Sequence, residues 1–255
     1  RRLNLNLMLG AKLGITSKQY NIVTDGLVVN YDPAFNKCYP GGSDIFNLAS
    51  GSLTPTGSII TDATFVGTDG SDAGYMYFDG SDGYINIETS ILSYISNVST
   101  FSIGMWAKPK LSSEFMAMGN ATAGTSAPRQ NYGTWNDGNM YLNIGETGGT
   151  TGCSISISYT NWDNWSYWVC TYDKTQGSHA ARQKGYIDGI DPGGWGYTGN
   201  SGNNTGTIPK FYLGYIDNWS SYAYGNLGSI QIYNRALTAA EVLQNYNASK
   251  DRYTN

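Results

Sequence analysis

Short segments in which apolar and polar residues alternate recur along this chain, and turn-forming residues separate them. Gly, Asp, Asn and Pro interrupt the alternation about every eight to fifteen residues, a spacing typical of β-sandwiches and jelly rolls. The composition agrees, because 33 Gly, 21 Tyr and only 13% charged residues favour strands and turns over long helices. The sequence therefore predicts an all-β protein. Its predicted strands lie near 27–31, 75–78, 84–87, 101–109, 113–118, 139–144, 153–159, 165–173, 184–188, 210–215 and 229–232.

The closing segment, residues 225–246, predicts a strand followed by the one helix of the chain. Ile230 and Ile232 alternate with polar neighbours, as in a half-buried strand. Thr238 precedes Glu241 by three residues, which is the spacing of an N-terminal capping box. Apolar residues then follow at helical spacing, so one stripe of the helix can lie against a sheet. These residues are Ala239, Val242, Leu243 and Tyr246.

Residues 79–83 predict a tight turn near the middle of the first half of the chain. Their sequence, Asp-Gly-Ser-Asp-Gly, stands between two segments of alternating hydrophobic residues. Because Asp-Gly between such segments favours a two-stranded hairpin, we expect the flanking strands to pair with each other.

The chain divides into an N-terminal arm, residues 1–22, and one domain, residues 23–255. Leucines occupy every second position near the start of the arm, which predicts a strand with one apolar face. That apolar face must pack against another surface, either the domain's own sheet or a neighbouring subunit to which the arm adds as a strand. We favour the neighbouring subunit. The leucines are Leu3, Leu5, Leu7 and Leu9.

Charge and hydropathy exclude several classes of partner. The net charge of -4 and the isoelectric point near 4.9 argue against binding to nucleic acid, which requires a basic surface. No run of about eighteen apolar residues is present, so we expect no insertion into a membrane. The three cysteines stand at irregular spacing and do not form a zinc-binding pattern.

The sequence also lacks the pattern of a hydrolase. Cleavage of a glycosidic bond uses two carboxyl groups about 5 to 9.5 Å apart. None of the four glutamates, Glu88, Glu114, Glu146 and Glu241, belongs to a closely spaced series on one strand face. The single histidine, His179, lies in a polar turn without a nearby nucleophile elbow. We therefore expect a protein that is not an enzyme.

Several motifs, in their order and spacing, resemble those of laminin G-like domains in the concanavalin A-like lectin superfamily. The resemblance covers roughly residues 26–250 and implies a two-sheet antiparallel jelly roll with a short C-terminal helix. It also implies binding rather than catalysis. The matching segments are 78–85 (FDGSDGYI), 101–108 (FSIGMWAK), 165–173, 185–189 (GYIDG), 211–214 (FYLG) and the closing segment.

The ending YNRALT-x-x-E is similar to that of such domains in phage virion proteins. This resemblance implies a non-enzymatic structural component of a virion, such as a head-decoration, collar or tail-associated protein, that contacts other virion proteins. Whether it forms homo-oligomers stays open. The alternative is a carbohydrate-binding adhesin or receptor-binding module that recognises surface glycans. A glycan-cleaving enzyme is a remote third interpretation.

Aromatic residues in loops rich in Gly, Asn and Ser are the candidate binding residues. Exposed Trp and Tyr rings can stack on sugars or anchor a protein partner, and the alternative is local packing that stiffens the loops. By contrast, Trp106, Trp165 and Trp168 belong to predicted strands and are expected in the core. The candidates form three groups: Trp195 with Tyr197; Trp219 with Tyr222 and Tyr224; and Tyr132 with Trp135.

The resemblance also raises the question of calcium, although no cofactor is expected to be required. Laminin G-like domains often bind calcium in loops at the rim of the sandwich, through Asp side chains and backbone carbonyls. The candidate ligands are Asp188, Asp217 and Asn218. The alternative interpretation is that these residues simply form turns.

Overall fold

The computed structural model describes residues 21–49, 56–67, 74–110, 114–120, 130–144, 153–198, 208–217 and 220–254. Two antiparallel sheets lie face to face, which confirms the predicted jelly-roll sandwich. Residues 1–20 of the predicted arm lie outside the described residues, as do Trp219 and Asn218.

The described residues form eighteen strands and three helices. The strands are β1 Leu27–Tyr31, β2 Asp44–Ile45, β3 Gly57–Ile60, β4 Thr64–Val66, β5 Tyr75–Asp79, β6 Tyr84–Ile87, β7 Thr100–Pro109, β8 Phe115–Asn120, β9 Gln130–Thr134, β10 Asn139–Ile144, β11 Cys153–Ser158, β12 Ser166–Asp173, β13 Gln183–Ile187, β14 Gly196–Thr198, β15 Phe211–Leu213, β16 Tyr215–Ile216, β17 Ser221–Tyr222 and β18 Tyr224–Tyr233. The helices are α1 Thr89–Leu92, α2 His179–Arg182 and α3 Ala239–Tyr253. Only α3 was expected from the sequence, and α1 and α2 are single turns.

Seven strands form one sheet in the order β13-β12-β7-β18-β5-β4, with β1 also paired to β18. Nine strands form the second sheet, in the order β14-β11-β10-β9-β8-β15-β6-β3-β2. The remaining two strands, β16 and β17, pair with each other.

The main hydrophobic core lies between the two sheets. Alternate residues of the long strands point into it, as in Phe101, Ile103 and Met105 of β7, although a bulge in β18 shifts the alternation between Leu227 and Ile230. Trp168 of the seven-stranded sheet meets Phe115 of the nine-stranded sheet edge to face, with ring centroids 6.1 Å apart. Burial of each such large apolar side chain contributes about 1.5–3 kcal/mol, so this layer holds the sheets together.

Helix α3 covers the outer face of the seven-stranded sheet. Trp106 of β7 stacks on Tyr253 of α3 with centroids 4.7 Å apart, and its indole Nε1 donates a hydrogen bond to Ser249 Oγ at 2.8 Å. The capping box of Thr238 and Glu241 is present, as the sequence predicted. The closing segment is therefore confirmed as strand, cap and helix.

The turn at residues 79–83 does not close a hairpin, so that prediction is wrong. β5 pairs with β4 and β18 in the seven-stranded sheet, whereas β6 pairs with β3 and β15 in the nine-stranded sheet. Phe78 and Ile85 nevertheless enter the same core from opposite sides. Alternation reports which face of a strand is buried, and both sheets share one buried layer. The sequence pattern therefore could not distinguish a hairpin from a crossing between sheets.

Breaking the ion pair between Arg252 and Asp32 should destabilise the domain. Arg252 of α3 donates two 2.7 Å hydrogen bonds to the Asp32 carboxylate, and the two side chains are only 11% and 4% exposed. An Arg252→Met variant leaves a buried charge without compensation, so we expect a loss of about 3–5 kcal/mol in unfolding free energy, measured with urea. Lys110→Met is the control, because the Lys110–Asp163 pair is 51% and 41% exposed. We expect the control to change the unfolding free energy far less, because solvent screens this exposed pair.

The cap of α3 should make stability depend on pH in the acid range. Hydrogen bonds from Arg235, with smaller contributions from Thr238, lower the pKa of Glu241 to about 2. A carboxyl whose folded-state pKa is depressed stabilises the protein above its unfolded-state pKa, and that stabilisation disappears as the pH falls toward 2. Between pH 6 and pH 2, we expect the unfolding free energy of the unchanged protein to fall by on the order of 2–3 kcal/mol more than that of the Glu241→Gln variant. Identical pH profiles for the two proteins would contradict this assignment.

Candidate functional site

The outer face of the nine-stranded sheet carries a row of mainly polar residues. One residue from each strand lies in cross-strand register, and on every strand except the exposed edge strand β14 these residues alternate with residues that enter the core. In the described part of the chain no helix packs over this face, in contrast to α3 on the opposite sheet. The row runs Asp44, Ser58, Asn86, Tyr212, Gly119, Asn131, Asn143, Ser154 and Thr198.

The β16–β17 hairpin lies over β8 and divides this face into two halves. Ile216 packs on Met116, with Trp135 beside them. A β-carbon at Gly119 would lie 2.9 Å from Ile216 Cγ1, so the hairpin can approach only because residue 119 is glycine. Ser221 Oγ donates a 2.6 Å hydrogen bond to the Glu114 carboxylate and fixes the hairpin. Each half therefore presents a separate surface.

The half formed by β3, β6 and β15 contains a cavity of about 310 Å³, which we call the tyrosine groove. Two tyrosine rings stand on its wall at right angles, Tyr84 and Tyr212, with centroids 5.4 Å apart and an interplanar angle of 89°. Amide, carboxylate and ammonium groups line the same space. The lining residues are Ile60, Tyr84, Asn86, Ile87, Glu88, Thr89, Pro209, Lys210 and Tyr212.

Two further tyrosines hold the rings of the groove in place. Tyr215 stacks on Tyr84 at 4.9 Å, and Tyr222 stacks on Tyr215 at 4.5 Å, with interplanar angles near 29° and 28°. Burial raises the pKa of Tyr212 to about 12, so its phenol stays protonated at neutral pH. The groove thus offers fixed, uncharged aromatic surfaces beside hydrogen-bonding groups.

The half formed by β9, β10 and β11 carries three polar side chains in a directed hydrogen-bond chain, which we call the amide ladder. Ser154 Oγ donates to Asn143 Oδ1, and Asn143 Nδ2 donates to Asn131 Oδ1 at 3.0 Å. Asn131 is only 2% exposed, and its Nδ2 has no acceptor within reach among the described residues. A buried donor without a partner costs about 1–3 kcal/mol.

Two of the predicted aromatic residues are buried rather than exposed. Trp195 is 8% exposed because its indole covers Gly185, where any β-carbon would collide with the ring. Its Nε1 donates a 3.1 Å hydrogen bond to Asp191. Tyr132 lies fully buried between the sheets, on β9, a strand that the sequence pattern does not predict. Their expected exposure is therefore corrected, and neither ring is presented to a ligand in this structure.

The other predicted aromatics that the structure describes lie on different elements. Tyr222 supports the tyrosine groove through Tyr215, whereas Tyr224, two residues later, lies exposed on the seven-stranded sheet. Trp135 packs against the hairpin. Tyr197 is exposed at the edge strand β14, with its ring 5.2 Å from that of His179. The structure thus separates those members of each predicted group that it describes; Trp219 lies outside the described residues.

The predicted calcium ligands also lie on different elements. Asp188 follows β13 and accepts a 2.8 Å hydrogen bond from the Tyr167 backbone, and burial raises the pKa of its carboxyl. Asp217 lies in the β16–β17 turn, over the nine-stranded sheet. Among the described residues, no three His, Cys, Asp or Glu side chains gather around a common point. Calcium binding stays a prediction.

The residues of the tyrosine groove were not singled out from the sequence, although a signal existed. In the segment Tyr-Ile-Asn-Ile, Ile85 and Ile87 alternate with Tyr84 and Asn86, and Tyr212 likewise stands between apolar neighbours. Such alternation predicts that the tyrosines face outward. What the sequence does not show is that β15 lies beside β6, some 125 residues away along the chain.

Comparison with known proteins identifies the fold. The family model described as the concanavalin A-like lectin/glucanases superfamily matches residues 79–243. No curated protein sequence matches the chain. None of the described helices is of a length and hydropathy that would let it cross a membrane.

Solved structures resemble this chain at low sequence identity. One is a structure of botulinum neurotoxin type C, a toxin whose cell entry depends on two ganglioside molecules. It has a TM-score of 0.64 and 12% identity, and the match covers 90% of this chain and 52% of the toxin chain. The botulinum neurotoxin DC binding domain in complex with rat synaptotagmin II has a TM-score of 0.62 and 11% identity, over 89% of this chain and 52% of its own. This chain thus spans about half the length of those toxin chains.

Domain 4 of a GH43 extracellular arabinanase from Geobacillus stearothermophilus, in complex with arabinotriose, is matched over nearly its whole length. It has a TM-score of 0.59 and 18% identity, over 88% of this chain and 98% of that domain. Identities this low establish the fold alone. The family model, in contrast, covers more than half of the 255 residues. The protein therefore belongs to the concanavalin A-like lectin/glucanase superfamily.

Proposed function

We propose that this protein binds carbohydrate in the tyrosine groove and does not cleave it. The observation that carries the proposal is the pair of tyrosine rings, Tyr84 and Tyr212, set at right angles on the wall of a cavity of about 310 Å³. This volume lies at the lower end of the range for small-molecule sites, about 300–1,000 Å³, and suits a short stretch of a glycan.

The chemistry of the groove matches that of a sugar. A pyranose or furanose ring has an apolar C–H face, which packs on an aromatic ring, and a rim of hydroxyl groups. Asn86 supplies an amide that can both donate and accept hydrogen bonds, and Lys210 and Glu88 supply a donor and an acceptor. The stacked neighbour Tyr215 holds Tyr84 in position, so little conformational entropy is lost on binding.

The groove provides little of the machinery for hydrolysis. Glu88 is the one carboxylate among its lining residues, whereas most glycosidases use two. The matched arabinanase domain was solved with arabinotriose, which supports a sugar ligand for this fold without identifying it for this chain. We therefore propose a binding module and choose arabinotriose as the first probe.

Removing the Tyr84 ring should weaken carbohydrate binding. We expect the Tyr84→Ala variant to bind at least about tenfold more weakly than the unchanged protein, because the stacking surface is lost. The measurement is isothermal titration calorimetry with arabinotriose and with the best ligands from a glycan array. Each titration is run with calcium and with EDTA, which also tests whether binding depends on calcium.

Tyr77→Ala is the matched control for this measurement. Tyr77 is a strand tyrosine that is 36% exposed on the outer face of the opposite sheet, so its removal should leave the affinity unchanged. Equal affinity of the Tyr84→Ala and unchanged proteins, or an array without any bound glycan, would contradict the proposal.

A role as a structural component of a virion is the second candidate. It is supported by the YNRALT-x-x-E ending and by the alternating leucines of the arm, Leu3, Leu5, Leu7 and Leu9, which suit docking on a neighbouring subunit. A carbohydrate-binding virion protein would combine both candidates.

Deleting residues 1–20 tests the virion role. The deletion keeps Asn21, whose backbone carbonyl accepts a 2.9 Å hydrogen bond from Gln244 of α3, so we expect the domain to stay folded. The prediction is loss of the protein from purified virus particles with an unchanged thermal unfolding midpoint. Normal incorporation of the folded deletion variant would contradict docking through the arm.

A further inference from the structure

We infer that the β16–β17 hairpin positions the rings of the tyrosine groove, and that Glu114 acts through the hairpin to set the affinity for the ligand. Glu114 is not among the residues that line the groove. It is therefore a positioning residue, which binds no ligand itself. The inference rests on the proposed function for its ligand, a glycan.

The hairpin has two faces that contact different partners. Tyr215 stands opposite Tyr222 in the register of its two strands. The neighbouring pair, Ile216 with Ser221, therefore points to the opposite face. The tyrosine pair stacks toward the groove, whereas Ile216 and Ser221 are buried against β8 and the residue before it. An anchor on one face thus holds the rings on the other.

Tyr215 contacts both rings of the groove wall. It stacks on Tyr84 with centroids 4.9 Å apart and meets Tyr212 edge to face at 5.4 Å. Tyr222 supports this arrangement from behind, at 4.5 Å from Tyr215 and 6.5 Å from Tyr84. A tyrosine on the surface of a sheet usually has more than one rotamer available to it. These contacts restrict the Tyr84 ring, so the wall is formed before a ligand arrives.

Glu114 anchors the opposite face of the hairpin. Its carboxylate accepts a 2.6 Å hydrogen bond from Ser221 Oγ, and its backbone carbonyl accepts a 3.3 Å bond from the Tyr224 amide. Ser221 is only 6% exposed, so loss of the carboxylate would leave a buried hydroxyl without this acceptor. Hydrogen bonds to an ionised acceptor are stronger than neutral ones. Glu114 therefore holds both a side chain and the backbone at the second strand of the hairpin.

A fixed turn joins the hairpin to β15, the strand that carries Tyr212. Gly214 forms this turn with φ of +79°, and a β-carbon there would collide with the ring of Phe78. The Gly214 amide donates a 3.0 Å hydrogen bond to the Ala117 carbonyl, and its own carbonyl accepts a 2.8 Å bond from the Ala223 amide. The hairpin is thus tied to the groove at its base, and Glu114 supplies a second attachment.

Removing the anchor should weaken glycan binding without touching the groove. We expect Ser221→Ala and Glu114→Ala each to lower the affinity by roughly three- to tenfold, the factor that one hydrogen bond provides. Binding is measured by isothermal titration calorimetry with arabinotriose and the best ligands from the glycan array. Glu114→Gln keeps an oxygen that accepts from Ser221, so it should keep most of the affinity.

Thr175→Ala is the matched control. It removes a hydroxyl–carboxylate hydrogen bond of the same 2.6 Å length, from Thr175 to Asp173 at the end of β12 in the other sheet. We expect this variant to bind glycans as tightly as the unchanged protein.

Two further readouts distinguish positioning from a general loss of stability. In the free protein, NMR signals of the Tyr84 ring protons should shift in Ser221→Ala, because the ring current of Tyr215 moves with the hairpin. In a Tyr84→Ala background, adding Ser221→Ala should cause little further loss of affinity, because the ring that the hairpin positions is absent. If the residual binding is too weak to measure, the ring signals decide.

The outcomes separate this inference from the proposed function. If Tyr84→Ala leaves the affinity unchanged, the groove fails as the binding site. If Tyr84→Ala weakens binding while Ser221→Ala and Glu114→Ala bind as tightly as the unchanged protein, the groove stands and this inference is refuted. Unmoved Tyr84 ring signals, or equal losses in Ser221→Ala and Thr175→Ala, also refute it. Thermal unfolding confirms that each variant is folded, and Glu114→Ala decides the matter if Ser221→Ala does not fold.

Discussion

The pairing of β7 with β18 is the contact on which the rest of the sandwich depends. Both strands are ten residues long, and they join residues 100–109 to residues 224–233 near the middle of the seven-stranded sheet. Their inner faces contribute to the core between the sheets, and their outer faces contribute Trp106 and Tyr233 to the layer beneath α3. Because both faces are buried, these strands tie the helix, the sheet and the core together.

This arrangement decides which surface is available for a ligand. Helix α3 is fastened to the seven-stranded sheet by the Trp106–Tyr253 stack and by the Arg252–Asp32 ion pair, so much of that sheet's outer face is covered. The nine-stranded sheet has its polar row on the opposite side of the molecule, and in the described part of the chain only the short β16–β17 hairpin packs over it. Binding groups therefore gather where packing does not require apolar residues.

Much of the fold could be predicted from the sequence, because alternation, turn residues and the Thr238–Glu241 cap are local signals. The pairing of strands is not local. The Asp-Gly turn at residues 79–83 looked like a hairpin because Phe78 and Ile85 enter the same core, although their strands belong to different sheets. Strand β9 was missed because its sequence, Gln-Asn-Tyr-Gly-Thr, has little apolar alternation.

The candidate site was less predictable, for a related reason. Trp195 lies in a glycine-rich loop and was expected to be exposed, but it covers Gly185, a contact that no local pattern encodes. Tyr84 and Tyr212 face outward as their alternation requires, yet they form a groove only because β6 and β15 are neighbours. Local patterns thus predict the direction of a side chain, and the long-range topology decides which side chains meet.

The proposed function depends on glycan binding to the outer face of the nine-stranded sheet. Its most direct test is to map backbone amide shifts by NMR while labelled protein is titrated with a neutral oligosaccharide. We expect the largest shifts at Tyr84, Asn86 and Tyr212. Largest shifts on the seven-stranded sheet or in the loop that carries Trp195, or no shifts at all at millimolar ligand, would contradict it.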